Sequence, residues 1–395
     1  MNDRHFYTFY QWLFFTTAVP FLGYALSFIP PSIFGFNLTG WAWITMLLVG
    51  LYYAVHQRNI RFPVIFWLPW AIYLLGYITV QYSFFGMQLT LQYLLPILIG
   101  VVVSGFTYDK EKYLWLFKML AKLSLFVVVL FAIGYLFRGG YTPEAAATPM
   151  LLCIMAALCL GIFFISGQLP FLLLFGALFL VPVIDMTRMG IAVFIMVLVM
   201  HFANKHIVSK VIIGVIGFVL LTGVVNSERF REKTLHTKNE TLELNDLVKN
   251  PNYYQNKKIR TSGRIVWYEL LKPGLAEKPV FGNGPRADGI VLSRFFQGER
   301  LGEAHNDYLS VLYNYGYIGL ALLLFGFGAT FLSMFRAFQQ TNNSYRFLLI
   351  SSTMTLMIGF LMFMYSDNIL KYTVLFPNIF FAMTGMVFAK YESES

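Results

Sequence analysis

The sequence predicts an all-α protein that crosses a membrane about twelve times, and three observations support this prediction. Hydrophobic residues make up 58% of the 395 residues and charged residues only 12%, roughly half the charge of a soluble domain. The mean hydropathy is positive. Apolar segments long enough to cross about 30 Å of hydrocarbon recur along nearly the whole chain. An ordinary soluble fold is therefore excluded.

The apolar segments divide the chain into three parts: spans one to nine within 1–225, a long hydrophilic loop at 226–304, and the last three spans within 305–395. We expect neither a removable signal peptide nor a soluble domain before the first span. The predicted spans lie near 10–30, 38–55, 63–80, 88–106, 114–137, 148–166, 169–184, 189–203, 207–225, 307–335, 345–365 and 371–389.

The basic residues of the short loops predict the orientation of the chain, because lysine and arginine favour the cytoplasmic side. With the N-terminus inside, the cytoplasmic loops hold Arg58, Arg61, Lys110, Lys112, Lys205, Lys210, Arg336, Arg346 and Lys390. The opposite short loops hold few basic residues, namely Arg138, Arg188 and Lys371. Both termini are therefore predicted to be cytoplasmic and the long loop to lie outside. The net charge of +10 is dispersed over these loops, so it does not indicate nucleic-acid binding.

The long loop is predicted to fold as a small helical cap on the membrane bundle, since a structureless loop of this length is uncommon. Residues 228–250 have the composition of a short helix with exposed charge. Residues 260–275 predict a second helix, which Pro273 ends or kinks. The residues spaced for one apolar face of this second helix are Ile265, Tyr268, Leu271 and Leu275.

Asp185 and Arg188 lie between two apolar spans, at the predicted non-cytoplasmic edge. A charge near the hydrocarbon costs about 2.5–3.5 kcal/mol on insertion scales and usually marks a pair or a functional site. Either these two residues form an ion pair across one helical turn, or Arg188 points into a cavity to meet an anion. A guanidinium suits the second role because it stays charged when partly desolvated and binds phosphate oxygens bidentately.

Further cationic residues occur in the long loop. Arg264 is followed one turn later by Trp267, and Gly282 and Gly284 then predict a tight turn. This turn would bring backbone N–H groups near an anion that Arg264 and Arg286 face. A loop arginine is more often only solvated. Arginines and a histidine at one membrane surface, without a carboxylate pair or a metal cluster, nevertheless suit a diphosphate.

His305 is the histidine of this set, and it stands where the loop returns to an apolar span. Histidine titrates near neutral pH and can accept a proton from an incoming hydroxyl. The alternative is a residue at a helix N-terminus that contacts only water and a backbone carbonyl.

The segment that begins at His305 carries a specific motif: His305-Asn306, nine residues, Gly316, two residues and Gly319. It resembles the motif of the O-antigen ligase and O-antigen polymerase family, membrane glycosyltransferases of the C-type fold. Two earlier elements also resemble this family. One is Thr187-Arg188-Met189-Gly190; the other is Arg264 with Trp267 followed by the turn at 279–284.

The resemblance implies a glycan on undecaprenyl diphosphate as donor, a sugar hydroxyl as acceptor, and a periplasmic active site on the bacterial inner membrane. His305 would activate or orient the acceptor hydroxyl in a single displacement that inverts the anomeric carbon. Arg188 and Arg264 would stabilise the leaving diphosphate, with no metal ion or cofactor. Asn306 favours a helix cap. Gly316 and Gly319 favour close helix packing, and Trp267 or Tyr308 is a candidate for stacking on a sugar ring or the polyprenyl chain.

The acceptor separates the variants within this family. A polymerase transfers to another lipid-linked repeat and a ligase to lipid A-core, while oligosaccharyl transfer to protein is a third variant. The sequence favours the polymerase, because nothing in it identifies a dock for lipid A-core. Besides the lipid bilayer and these substrates, a chain-length regulator protein is a partner that the resemblance allows.

Two hypotheses from other classes remain. A lipid-linked glycan flippase or transporter predicts charges near mid-membrane and broken helices in equivalent positions of two halves. Here the charges collect at one membrane face instead. A structural membrane subunit would leave the set Arg188, Arg264 and His305 unexplained.

Overall fold

The computed structural model describes residues 3–25, 33, 36–57, 59–137, 147–185, 187–202, 264–295 and 302–392. The helices in these ranges are α1 (Asp3–Ala25), α2 (Leu38–His56), α3 (Val64–Val80), α4 (Phe84–Ser104), α5 (Lys110–Phe137), α6 (Ala147–Ser166), α7 (Leu169–Ile184), α8 (Arg188–Phe202), α9 (Arg264–Glu277), α10 (Ala287–Phe295), α11 (Asp307–Gln340), α12 (Ser344–Ser366) and α13 (Pro377–Phe388). Two-residue strands β1 (Thr107–Tyr108) and β2 (Lys390–Tyr391) and a 3-10 turn (Ile369–Lys371) complete them.

This architecture confirms the all-α prediction. Among the described residues, six helices are long and apolar enough to cross a membrane, namely α2, α4, α5, α6, α11 and α12, and the shorter α3, α7, α8 and α13 are also apolar. The predicted span at 207–225 lies outside the described residues. Several boundaries differ from the prediction by a few residues, and two starts differ most. Helix α1 begins at Asp3 rather than near residue 10, and α13 begins at Pro377 because the 3-10 turn occupies 369–371.

The two ends of the chain meet at one end of the bundle. Lys112 Nζ lies 2.8 Å from Asp3 Oδ1, which joins the start of α5 to the start of α1. Strands β1 and β2 pair in parallel, with Tyr108 opposite Tyr391. The guanidinium of Arg346 lies 5.0 Å from the centre of the Tyr391 ring. Loops that the basic-residue pattern assigned to one side are therefore neighbours in the fold.

A small cap lies at the opposite end, and we define it as residues 264–295, comprising α9, a turn and α10. Its core is a separate cluster of buried side chains from the cap and from the start of α11: Trp267, Leu271, Leu292, Ala304 and Tyr313. The predicted helix near 260–275 is thus confirmed, as α9. The helix predicted within 228–250 lies outside the described residues.

One detail of the α9 prediction is wrong, and one of the two predicted effects of Pro273 is excluded. Tyr268 is 47% exposed, whereas Trp267 and Leu271 are buried. The buried face therefore runs through residues four apart, which lie one above the other on a helix. Pro273 does not end the helix, which continues to Glu277.

Helix α11 is broken at Gly316, where φ is 66° and ψ is −169°. This region of backbone conformation is essentially restricted to glycine. The turn of the cap at 279–284 fills the break by exchanging backbone hydrogen bonds with α11. The N–H groups of Asn283 and Gly284 donate to the carbonyls of Tyr313 and Asn314 at 2.9 and 2.8 Å, and those of Tyr317 and Ile318 donate to Pro279 and Val280 at 2.9 and 3.2 Å.

Gly316 therefore has a different role from the helix packing that the sequence suggested. A Cβ atom at this position would overlap the backbone carbonyl of Val280, so the residue is glycine because the cap backbone approaches it. Gly319 does fit close packing, since a Cβ there would meet the side chains of Tyr315 and Tyr73. The nine residues between Asn306 and Gly316 in the motif therefore set the distance along α11 from His305 to the break at Gly316.

Candidate active site

The imidazole of His305 is paired with the carboxylate of Asp367, and this pair is the centre of the site. Nδ1 of His305 lies 3.0 Å from Oδ1 of Asp367, and the two side chains are 28% and 12% exposed. A neutral imidazole that donates its Nδ1–H to a carboxylate carries its free lone pair on Nε2. Nε2 is therefore the atom that can accept a proton from a hydroxyl.

Trp267 of α9 stacks on His305, with ring centres 5.0 Å apart and an interplanar angle of 34°. The indole is 6% exposed, so its surface is used by packing and by the imidazole rather than left open to a sugar. An aromatic face attracts a cation placed over it. Trp267 can therefore stabilise the imidazolium that forms when His305 takes a proton.

The backbone of His305 is itself unusual, because its φ angle is +43°. A non-glycine residue in the left-handed region costs roughly 1–3 kcal/mol and persists where its surroundings determine it strongly. Asn306 follows immediately and caps α11, with its Oδ1 accepting from the N–H of Leu309 at 3.0 Å. This is the capping role predicted for Asn306.

A second segment, residues 367–371, holds the chain on both sides of His305, and we call it the anchor segment. Asn368 Oδ1 accepts from the N–H of Asn306 at 3.2 Å. The N–H of Leu370 donates to Oδ2 of Asp307 at 2.9 Å. Sequence reasoning missed this segment as part of the site. A signal was present, since the polar run Ser366-Asp367-Asn368 and Lys371 interrupt two apolar spans on the predicted side of His305.

Arg286 is already engaged by a carboxylate. Its Nη1 lies 3.2 Å from Oε1 of Glu303, and Asn368 Nδ2 donates to the other carboxylate oxygen at 3.1 Å. Burial alone would raise the pKa of Glu303, but the charges of Lys371 and Arg286 and the hydrogen bonds from Asn368 and Arg286 lower it to about 2. Glu303 is therefore ionised at neutral pH and ties Arg286 to the segment before His305.

The sequence did not indicate that carboxylates lie at this site. Acidic side chains from four places in the chain surround the start of α11, because helix ends and loops far apart in sequence meet there: Asp288, Glu303, Asp307 and Asp367. Within the described ranges, no group of three or more His, Cys, Asp or Glu side chains is arranged to bind a metal ion.

Gly282 and Gly284 form the predicted turn, with φ angles of 84° and 99°. The N–H of Gly282 donates to Lys278, and that of Gly284 to Asn314 in the broken part of α11. These N–H groups are used within the protein rather than presented to an anion, which corrects the expectation from sequence. The turn supports the site by fixing the cap on α11.

Arg188 is the exposed first residue of α8. Helix α8 packs on α12 in the opposite direction, because Val193 lies beside Gly359 of α12, while His201 and Ser352 of α12 both lie beside Gly161. If the two helices keep this alignment, Arg188 lies level with the last turn of α12. Arg188 and His305 therefore lie at the same end of the bundle.

Arg264 begins α9, three residues before Trp267; its side chain lies outside the described part of the chain. Trp267 of this helix meets His305, so the start of α9 lies at the same end of the fold as His305. The sequence-predicted residues Arg188, Arg264, Trp267, Arg286 and His305 thus occupy one end of the fold.

Comparison with known families and proteins gives one match. Residues 169–324 match the family model described as O-antigen ligase, which supports the family assignment indicated by the motifs. The matched region includes Arg188, Arg264 and the whole motif from His305 to Gly319, and it ends before the anchor segment. No curated protein matches the chain.

Proposed function

We propose that this chain belongs to the O-antigen ligase family and is a membrane glycosyltransferase that moves a glycan from undecaprenyl diphosphate to a sugar hydroxyl. The observation that carries the proposal is the His305–Asp367 pair, with 3.0 Å between Nδ1 and Oδ1. It lies at the end of the bundle where α8 begins with Arg188 and α9 with Arg264. A histidine whose Nε2 atom can take a proton suits activation of the incoming hydroxyl. Arginines at the same end of the bundle suit a diphosphate leaving group.

The reaction is a single displacement. The acceptor oxygen attacks the anomeric carbon while its proton passes to Nε2 of His305. The bond from the anomeric carbon to the diphosphate oxygen breaks, and its electron pair leaves with undecaprenyl diphosphate. Attack opposite the leaving group inverts the anomeric configuration. Asp367 keeps the imidazole oriented and stabilises the imidazolium, as the acid of a catalytic triad does.

The leaving diphosphate gains negative charge as the glycosidic bond breaks. Guanidinium groups suit this charge because they remain protonated and bind two phosphate oxygens at once. Arg188 and Arg264 are the proposed diphosphate ligands. Arg286 is paired with Glu303, so we assign it a positioning role for the segment that carries His305.

The acceptor is proposed to be lipid A-core, as in a ligase. The description of the matched family favours this reading over the polymerase that the sequence alone favoured. Transfer to a second lipid-linked repeat remains the alternative acceptor within the same chemistry.

A transporter function has less support. The broken helix of a transporter exposes backbone groups that bind the substrate. In this chain the backbone groups of Tyr313, Asn314, Tyr317 and Ile318 around the break in α11 are paired with the turn at 279–284. The break therefore holds the cap, and its polar groups are already occupied.

Reconstitution with lipid-linked repeat units, with and without lipid A-core, tests the proposal. A ligase gives product only when lipid A-core is present, whereas chain lengthening without it would identify a polymerase. The His305→Ala variant should lose transfer in either case while remaining folded in detergent. Near-normal product from this variant would refute the proposed chemistry.

A further inference from the structure

Lys371 carries a charge in a place where charge is costly. Its side chain is 5% exposed, and moving an ammonium out of water costs several kcal/mol unless opposite charges compensate. Its ion-pair partners are Asp288 Oδ2 at 3.9 Å and Glu303 Oε1 at 3.8 Å. Among the described residues Nζ has no hydrogen-bond partner. These distances are longer than a direct hydrogen bond. Lys371 therefore acts on the two carboxylates through its charge.

The two partners of Lys371 differ in how much they depend on it. Asp288 accepts hydrogen bonds from Ser310 Oγ at 2.5 Å and Asn314 Nδ2 at 2.9 Å, so neutral donors already satisfy its carboxylate. Glu303 instead depends on cations, Arg286 at 3.2 Å and Lys371, with one neutral donor from Asn368. Loss of Lys371 should therefore affect Glu303 more than Asp288.

Glu303 lies two residues before His305, in the segment whose conformation sets the direction of the imidazole. The chain on the other side of His305 is held by Asn368 and Leu370 of the anchor segment. Lys371 belongs to the same segment, so one short stretch of chain fixes both sides of a residue with a φ angle of +43°.

We propose that Lys371 is a positioning residue of the glycosyl transfer: its buried charge keeps Glu303 ionised and bound, and thereby holds His305 in its reactive orientation. This inference rests on the proposed function. It adds a residue that lies outside the region matched by the family model.

The electrostatic surroundings define the expected pH dependence. Glu303 has three partners: Arg286, which precedes α10, and Lys371 and Asn368, which belong to the anchor segment. Lys371 forms an ion pair with Asp288, and its charge also acts on Asp307. The pair of Asp367 and His305 lies beside these groups. The charge of Lys371 is the largest influence that lowers the pKa of Glu303. Without it, the pKa of Glu303 should rise, because burial disfavours the ionised form, and Glu303 should take up its proton at a higher pH than in the wild type.

The test compares wild type, Lys371→Met, Glu303→Gln, the double variant and the control Lys272→Met, with transfer rates measured from pH 5.5 to 8.5. Lys272 is 60% exposed and pairs with Glu269 on the surface of α9. The Lys371→Met variant should lose about tenfold or more in rate at the acid end of this range, because a larger share of Glu303 is protonated there and no longer holds the segment before His305. The loss should shrink as the pH rises. The control should stay within about twofold of wild type.

The double variant separates a charge effect from loss of packing. The side chain in Glu303→Gln is neutral whether or not Lys371 is present, so the double variant should be about as slow as Glu303→Gln alone and should not recover as the pH rises. A double variant that loses the product of the two single losses would overturn the proposal. So would a Lys371→Met profile that parallels wild type.

Thermal unfolding of the wild type, the Lys371→Met and Glu303→Gln variants and the double variant distinguishes failure of this inference from failure of the proposed function. The unfolding midpoint of the double variant should fall by less than the sum of the two single decreases. This measurement needs no substrate. If His305→Ala retains transfer while the midpoints remain non-additive, the proposed chemistry fails and the Lys371–Glu303 coupling stands. Additive midpoints would refute the coupling itself.

Discussion

His305 and Asp367 form a hydrogen-bonded pair across 62 positions of sequence. They meet because α11 and α12 are joined by only three residues and therefore run in opposite directions, which brings the end of α12 to the start of α11. The acid that orients the imidazole is thus contributed by a different helix end. Its position depends on how the two helices pack.

The Asp367→Asn variant should lose roughly 10²–10⁴-fold in kcat, because an amide can favour the wrong imidazole tautomer. KM should change little, since Asp367 contacts the histidine rather than the substrate. Single-turnover kinetics with a lipid-linked donor measures this loss. Tyr365→Phe is the matched control, as Tyr365 is 63% exposed on the same helix end. An Asp367→Asn rate within threefold of wild type would remove the orienting role.

The pairing of His305 with Asp367 illustrates what the sequence could predict. The helices followed from the length of their apolar segments. His305, Arg188 and Arg264 became candidates because each lies in a short motif that can be read within its own stretch of chain. Asp367, Asn368 and Lys371 did not, because their contacts depend on the antiparallel packing of α11 and α12. Lys371 was recognised only as a basic residue on the outer side.

Gly316 shows a second limit of sequence reasoning. A glycine in an apolar helix usually indicates close helix packing, and that was the prediction. At the break, the backbone of α11 forms hydrogen bonds with the turn at 279–284, which lies about thirty positions earlier in the chain. Composition gives no indication that these two stretches exchange hydrogen bonds.

Arg188→Lys should reduce transfer roughly tenfold, because an ammonium binds one phosphate oxygen where a guanidinium binds two. The loss should appear in kcat/KM for the diphosphate donor, while thermal stability remains that of wild type. Arg294→Lys is the control, since Arg294 is exposed in the last turn of α10. Equal kcat/KM values for Arg188→Lys and wild type would exclude Arg188 from the diphosphate site.

Gly316→Ala should destabilise the protein strongly. The new Cβ would overlap the carbonyl of Val280 in a backbone conformation with φ of 66°, and incompatible Gly→Ala changes cost more than about 1 kcal/mol. Gly328→Ala, farther along α11, meets nothing within 4 Å and should be neutral or slightly stabilising. Thermal unfolding in detergent compares the two. Equal midpoints would contradict the role assigned to the break.

Glu303 should make stability depend on pH in the acid range. Its pKa is lowered from 4.5 to about 2 in the folded protein, so the unfolded chain binds more protons between these values. The stabilisation is fully present above about pH 5 and is lost as the pH falls towards 2, by about 2–3 kcal/mol. Unfolding midpoints from pH 7 to 3 should fall less steeply for Glu303→Gln than for wild type. Parallel curves would contradict an ionised Glu303.

The orientation of the bundle can be tested with two cysteine substitutions, because the native Cys153 and Cys159 are both buried. Lys272 is exposed on the cap, and Lys390 is exposed in β2 at the opposite end of the bundle. If the site faces the periplasm, a membrane-impermeant maleimide should label Lys272→Cys in intact spheroplasts. Lys390→Cys should react only after the membrane is opened. The reverse pattern would place His305 on the cytoplasmic side, where the basic loops are expected, and would contradict both the predicted topology and the periplasmic site.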